Sequence, residues 1–272
     1  MDCHSARDWD AFSGPIVPGT EGAGGERFDQ ELGFPGTFYA PNITPAGLSQ
    51  WSDGEILRAI TGGVTRGGRA LFPVMPYPSY RALAEADAEA IVAYLRTITP
   101  VAREIPPSRL DFPMNLLVRT LPEPYAPQPS PDRSSPVAYG RYLATIAGCL
   151  VCHTRSEGGK PVHGLEKPIE GMEYGGGAAF DVPGAGRIQS GNITPDSDTG
   201  IGNWPRDFFI ARFREAASTG RRRLPPGDRR VNTVMPWTRF AGMTDEDLGA
   251  IYAYLRTVRP VRNQVVRFTD PS

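Results

Sequence analysis

The chain has 272 residues, 40% of them hydrophobic, enough for two ordinary domains that each bury a core. Gly (31) and Pro (28) make up about a fifth of it, and with charges of both signs throughout this points to long loops around short helices rather than to disorder. The net charge of -1, from 29 basic and 30 acidic side chains, gives no field that would draw the chain to nucleic acid or an anionic membrane, so no nucleic-acid partner is expected.

Taken in chain order, the first feature is Met1-Asp2-Cys3-His4. Residues 1–20 lack the charged-then-apolar pattern of a secretory signal, and no window supplies the roughly 18 apolar residues of a transmembrane segment. Asn42-Ile43-Thr44-Pro45 and Trp51 come next. Ser52-Asp53-Gly54-Glu55 is a capping box, in which the Ser hydroxyl accepts from the N3 amide while Glu55 reaches back; Ile56, Leu57 and Ile60 give the short helix behind it an apolar face. Met75 lies between Val74 and Pro76 in a Pro-rich loop before Tyr77, not on an apolar helical stripe. A helix is predicted over about 85 to 97, with Ile91, Tyr94 and Leu95 at helical spacing.

Residues 106–136, from Pro106-Pro107 to Pro136, have the composition of an inter-domain linker, and Leu110, Phe112, Met114, Leu116, Leu117 and Val118 within it are expected to dock on the flanking domains and make it a strut. Val137 to Gly148 reads as a helix with Tyr142, Leu143 and Ile146 apolar, running into Cys149-Leu150-Val151-Cys152-His153. His163 reads as a solvated loop residue. Asn192-Ile193-Thr194-Pro195 precedes Trp204-Pro205, where proline favours a first helical turn and Phe208, Phe209, Ala211 and Phe213 supply packing. Arg221-Arg222-Arg223 and Arg229-Arg230 read as a solvated charge run, with a partner-docking patch as the alternative. Met235 sits between Val234 and Pro236 before Trp237, and Thr244 caps a last helix over about 245 to 257 carrying Leu248, Ile251, Tyr252 and Leu255. Met114, Met172 and Met243 suit core or loop roles.

Three cysteines are too few for a disulfide framework. Cys149 to His153 is the CxxCH pattern, in which two thiols bond to the haem vinyl groups and the histidine ligates iron. The two-residue gap lets both sulfurs reach one porphyrin edge while the histidine tucks beneath the metal. A redox CxxC would want a βαβ context and a zinc site a second Cys/His pair nearby. Met1-Asp2-Cys3-His4 matches the last four positions of the same pattern. The expectation is a start-site error: a GTG valine codon read as Met1, with the missing cysteine, a preceding helix and any signal peptide upstream. The absence of an in-frame cysteine codon just before Met1 would sink it.

An internal repeat supports the pairing. Asn42 to Pro45 recurs as Asn192 to Pro195, Trp51 as Trp204, Val74-Met75-Pro76 as Val234-Met235-Pro236, and Ala93-Tyr94-Leu95-Arg96-Thr97 as Ala253-Tyr254-Leu255-Arg256-Thr257, each followed two residues later by Pro-Val. The offset grows along the chain, from 149 residues between His4 and His153 to 150, 153 and then 160 between the methionines.

On these motifs the chain resembles class I cytochrome c domains over nearly its whole length, and specifically the multihaem cytochrome c subunits of bacterial alcohol and aldehyde dehydrogenases. The resemblance implies an all-α, loop-rich fold of two tandem cytochrome c domains, residues 1–105 and 137–272, joined by the 106–136 segment. It makes His4 and His153 the proximal iron ligands, Met75 and Met235 the distal ones, and Cys149, Cys152 and Cys3 the haem-bonding thiols. Two haem c groups are implied for the full-length protein and at least one at Cys149 and Cys152. The implied function is outer-sphere electron transfer, as a free carrier or a dehydrogenase subunit, with a dehydrogenase subunit, terminal oxidase or other cytochrome as partner, in the periplasm or on the periplasmic face of the inner membrane. The alternative is a haem enzyme, such as a dihaem peroxidase or thiosulfate-oxidising cytochrome, which needs an iron with a labile or unusual ligand; a sensor would need an output domain.

Overall fold

The computed structural model describes residues 1–162, 166–182, 186–219, 222–225 and 232–269; His163, Arg221, Arg229 and Arg230 lie outside them. The chain divides into two compact units, one of residues Met1–Asp8 and Pro15–Ser130, the other of Trp9–Gly14 and Pro131–Ser272.

In the first unit the helices are α1 (Asp53–Gly62), α2 (Tyr77–Tyr80), α3 (Glu85–Thr97) and α4 (Met114–Leu117). The capping box forms as the sequence predicts: Ser52 Oγ accepts from Glu55 N at 3.2 Å and Glu55 accepts from Ser52 N at 2.9 Å. Such a cap contributes about 1 kcal/mol to a short helix. α1 buries Ile56 and Ile60 and ends at Gly63, whose φ of +71° and contact with the Tyr77 ring leave no room for a side chain: a Cβ there would lie 2.6 Å from that ring. α3 has the predicted limits, but its buried face is Ala88, Val92 and Leu95; Ile91 and Tyr94 are exposed. The i, i+4, i+7 stripe therefore runs one position beside the predicted one.

The second unit holds α5 (Pro136–Ile146), α6 (Cys149–His153), α7 (Arg206–Thr219), α8 (Trp237–Phe240) and α9 (Asp245–Leu255). α5 and α9 cross at Gly140, where a Cβ would sit 1.8 Å from the Ala250 carbonyl oxygen, so only glycine permits the approach. Around that crossing Tyr139, Leu143, Phe209, Phe213, Leu248, Ile251 and Leu255 form one core; each large apolar side chain buried this way contributes roughly 1.5–3 kcal/mol. Phe208 and Ala211, assigned to that packing from sequence, are exposed, though Phe208 stands edge-on to Trp204 at 4.9 Å.

The all-α expectation needs correction, because each unit also carries a small antiparallel sheet. β1 (Arg27–Phe28), β2 (Gly36–Tyr39) and β3 (Arg109–Leu110) pair in that order, with Phe28 opposite Phe38 and Gly36 opposite Leu110. β4 (Ala179–Val182), β5 (Gly186–Gln189) and β6 (Phe268–Thr269) pair likewise, with Phe180 opposite Ile188 and Ile188 opposite Phe268. Strands of two to four residues in Gly-rich runs carry too little alternation to be read from sequence. In the Pro-rich segment, Val118 is buried while Phe112, Leu116 and Leu117 are exposed. Arg222 and Arg223 are exposed side chains whose backbone pairs with residues 10–12. No helix among the described residues is long and apolar enough to cross a membrane.

Candidate haem sites

Gly148, at φ +68°, ends the α5 turn and opens α6. The five-residue helix puts Cys149, Cys152 and His153 at i, i+3 and i+4, which is one helical face. Cys149 packs against the core of its unit, as does Met235. Burial pushes the Cys149 thiol up to about 12, with the neighbouring Cys152 adding to the rise, so it is held as a thiol rather than a thiolate. Burial likewise lowers the His153 imidazole below its ordinary value, against the opposing effect of its hydrogen bond to Gly191.

That hydrogen bond fixes the imidazole. His153 Nδ1 lies 2.7 Å from the Gly191 carbonyl oxygen, and His4 Nδ1 lies 2.8 Å from the Pro41 carbonyl oxygen. A backbone oxygen accepts, so Nδ1 carries the proton and Nε2 presents its lone pair to a metal. His4 is also kept neutral by burial, its pKa lowered to about 4.

The surroundings of the two histidines share a set of hydrogen bonds. His4 O accepts from Gly24 N at 2.8 Å and His153 O from Gly176 N at 2.7 Å. The next residue is a buried hydroxyl in each case: Ser5 Oγ accepts from Gly22 N at 3.0 Å and Thr154 Oγ1 from Tyr174 N at 3.1 Å. Asn42 donates to Val101 O at 2.8 Å and accepts from Thr44 N; Asn192 donates to Val261 O at 2.7 Å and accepts from Thr194 N. The repeated Asn-Ile-Thr-Pro segments thus tie the peptides carrying the histidine acceptors to the repeated Pro-Val pairs.

Met75 and Met235 are half-buried and occupy the same local geometry. Each carbonyl accepts from the residue two ahead, Tyr77 N at 2.7 Å and Trp237 N at 2.8 Å, as the chain turns into α2 or α8. Cys3 is exposed, close enough to Tyr80 on α2 to add to a rise in that phenol's pKa that is mainly due to burial. The sequence reasoning missed Pro41, Gly191, Ser5 and Thr154. The first two act through their carbonyls, which residue type does not mark; the signal for the others was a hydroxyl directly after each histidine.

Among the described residues no group of three or more His, Cys, Asp and Glu could hold a bare metal ion. The donor set instead suits a haem: two thiols and an Nδ1-committed histidine on one short helix, and a thioether from a separate loop. A helical unit built around such a motif is that of a c-type cytochrome, an electron-transfer protein whose cofactor is haem c with its iron. A family profile described as cytochrome c matches residues 137–259, so this stretch of the chain carries a cytochrome c domain. It is 29% identical over 253 residues to the cytochrome c subunit of a quinone-type alcohol dehydrogenase of Gluconacetobacter polyoxogenes, covering 87% of this chain and 51% of that one. It is 27% identical over 271 residues to a gluconate 2-dehydrogenase cytochrome c subunit of Pantoea cypripedii, covering 94% and 56%. A diheme cytochrome c-type protein of Cereibacter sphaeroides is 29% identical over 266 residues, covering 94% and 80%. The chain thus spans about half the length of the two dehydrogenase subunits.

Proposed function

We propose that the chain is a dihaem electron carrier built as two tandem cytochrome c domains, in which His4 and Met75 would hold one iron and His153 and Met235 the other. Cys149 and Cys152 would hold the second haem through thioether bonds, and Cys3 would contribute one to the first. What supports this reading most is the equal anchoring of the two imidazoles, Nδ1 to a backbone carbonyl at 2.8 and 2.7 Å, one residue before each repeated asparagine. When bound, haem supplies a one-electron iron centre. The protein's part is to hold both histidines neutral and oriented, to bring a thioether from the Met75 or Met235 loop, and to leave no protein-free position for a substrate. The relatives' names favour a role as the cytochrome subunit that accepts electrons from a dehydrogenase; the periplasmic placement follows from the family resemblance alone.

The test is a haem count on protein produced from its genomic locus in a host competent for haem attachment, by intact mass and pyridine haemochrome spectra. Two low-spin haems are expected, and His4→Ala should remove or convert one of them while leaving the other. One haem, unaffected by His4→Ala, would overturn the dihaem reading; a high-spin iron in assembled protein would overturn the pure carrier.

A further inference from the structure

The two methionine loops differ in one respect. Among the described residues the Met75 carbonyl is met by Tyr77 N, whereas the Met235 carbonyl also accepts a hydrogen bond from Ser13 Oγ, at 2.6 Å. Ser13 is fully buried and stands 222 residues from Met235 in the chain, within the Trp9–Gly14 stretch that belongs to the same unit as Met235. Its φ of +63° is a left-handed conformation that a residue with a β-carbon adopts only when its surroundings impose it.

Those surroundings are specific. Ser13 N donates to Asn232 Oδ1 at 2.8 Å, and Asn232, itself fully buried, donates through Nδ2 to Trp9 O at 3.0 Å. Asn232 Oδ1 also accepts from Thr233 N at 2.9 Å, and Thr233 Oγ1 accepts from Met235 N at 3.1 Å. Two backbone bonds, Phe12 N to Arg222 O and Leu224 N to Asp10 O, lay residues 10–12 antiparallel to residues 222–224, and Trp9 and Val234 both pack against Val182 and Ile188. Both the N–H and the C=O of Met235 are therefore fixed through a buried polar network reaching to the other end of the sequence.

We propose that Ser13, backed by Asn232, is a positioning residue for Met235: its hydroxyl holds the Met235 peptide so that the thioether stays on the iron of the haem attached at Cys149 and Cys152. The inference rests on Met235 being an axial ligand, as proposed above. A strained, fully buried serine whose hydroxyl ends on the ligand's own carbonyl is better explained by fixing that ligand than by filling space, since alanine would fill the volume equally well. Among the described residues the Met75 carbonyl has no such fixture, so the two methionines are expected to differ in how readily they leave iron.

The experiment uses the haem-loaded full protein in a Met75→His background, so that the long-wavelength methionine-to-iron charge-transfer band of the ferric protein reports the second site alone. Ser13→Gly removes the hydroxyl and relieves the left-handed φ; Ser13→Ala removes the hydroxyl and keeps the β-carbon. In both, imidazole should bleach the band at a roughly fivefold lower concentration than in the parent, the size of one buried hydrogen bond. The thermal midpoint of the Gly variant should hold or rise, which a merely structural role would not produce. Imidazole titrations that superimpose on the parent in both variants overturn the positioning role. A band that survives Met235→His overturns instead the assignment of Met235 as ligand.

Discussion

Replacing Gly140 by alanine tests the α5–α9 crossing on which the CxxCH helix depends. The new Cβ would start 1.8 Å from the Ala250 carbonyl oxygen and 2.4 Å from its carbon. A tolerable carbon–oxygen contact is about 3.3 Å, so the helices must part by about 1.5 Å. A gap of that size forfeits at least a quarter to a half of the dispersion contacts along the crossing. In an isolated helix the same change would stabilise by about 1 kcal/mol. Here overpacking should win, with a net loss of about 2–3 kcal/mol and a fall in the midpoint on the order of 10 °C for this unit. The loss should be followed by haem absorbance in a thermal melt, with the haem content at Cys149 and Cys152 counted alongside, because α5 leads through Gly148 directly into the motif. An unchanged or raised midpoint would refute the reasoning, since helix propensity alone would then have decided the outcome.

Asn192→Ala strands the Thr194 amide and leaves the Val261 carbonyl only the long 3.4 Å bond from Thr194 Oγ1, and should cost about 2 kcal/mol in the second unit's melt, with Asn42→Ala producing the matching loss in the first. Asp247 carries a pH dependence. Burial raises its carboxyl pKa, but hydrogen bonds from Tyr139 and Thr244 outweigh that and leave it below the ordinary 3.8. The stability it contributes is therefore present above about 3.8 and is lost as the pH falls through its lower folded value, so Asp247→Asn should lower the midpoint at neutral pH and flatten its decline in acid. If Met75 and Met235 are ligands, Met75→His and Met235→His should each lower one of two midpoint potentials in a spectroelectrochemical titration and leave the other in place, because methionine opposite histidine raises the potential of a haem.

Several elements were legible because their cause is local. The Ser52–Glu55 capping box, Thr244 as a cap and the limits of α3 follow from spacings of three and four residues; that Thr244 closes a full box on Asp247, and that Cys149–His153 is itself helical, came only with the structure. The repeat singled out Cys3 and His4 as counterparts of Cys152 and His153, and His4 shares with His153 an Nδ1 bond to a backbone carbonyl. Buried faces were less so: Tyr94 and Tyr254 are equivalent by sequence, yet Tyr94 is exposed while Tyr254 stands edge-on to Tyr174 at 6.0 Å. The phenylalanine cluster of the first unit, with Phe38 and Phe72 stacked at 4.8 Å, joins residues 34 apart that no periodicity links. Ser13 was invisible, since a left-handed serine leaves no mark in the sequence and its partner Asn232 lies 219 residues away.

The threading of Trp9–Gly14 into the second unit sets terms for anyone dividing the protein. Backbone passes between the units after residues 8, 14 and 130, so the natural cut suggested by the repeat separates neither half cleanly. A fragment starting at Pro131 would lack the segment that satisfies Asn232 and packs Trp9 against Val182 and Ile188, and would be an open-faced domain prone to self-association through those two residues. A complementation design that supplies residues 1–14 as a separate peptide would be needed to restore it, and the affinity of that peptide would report directly on how tightly the N-terminal segment is held.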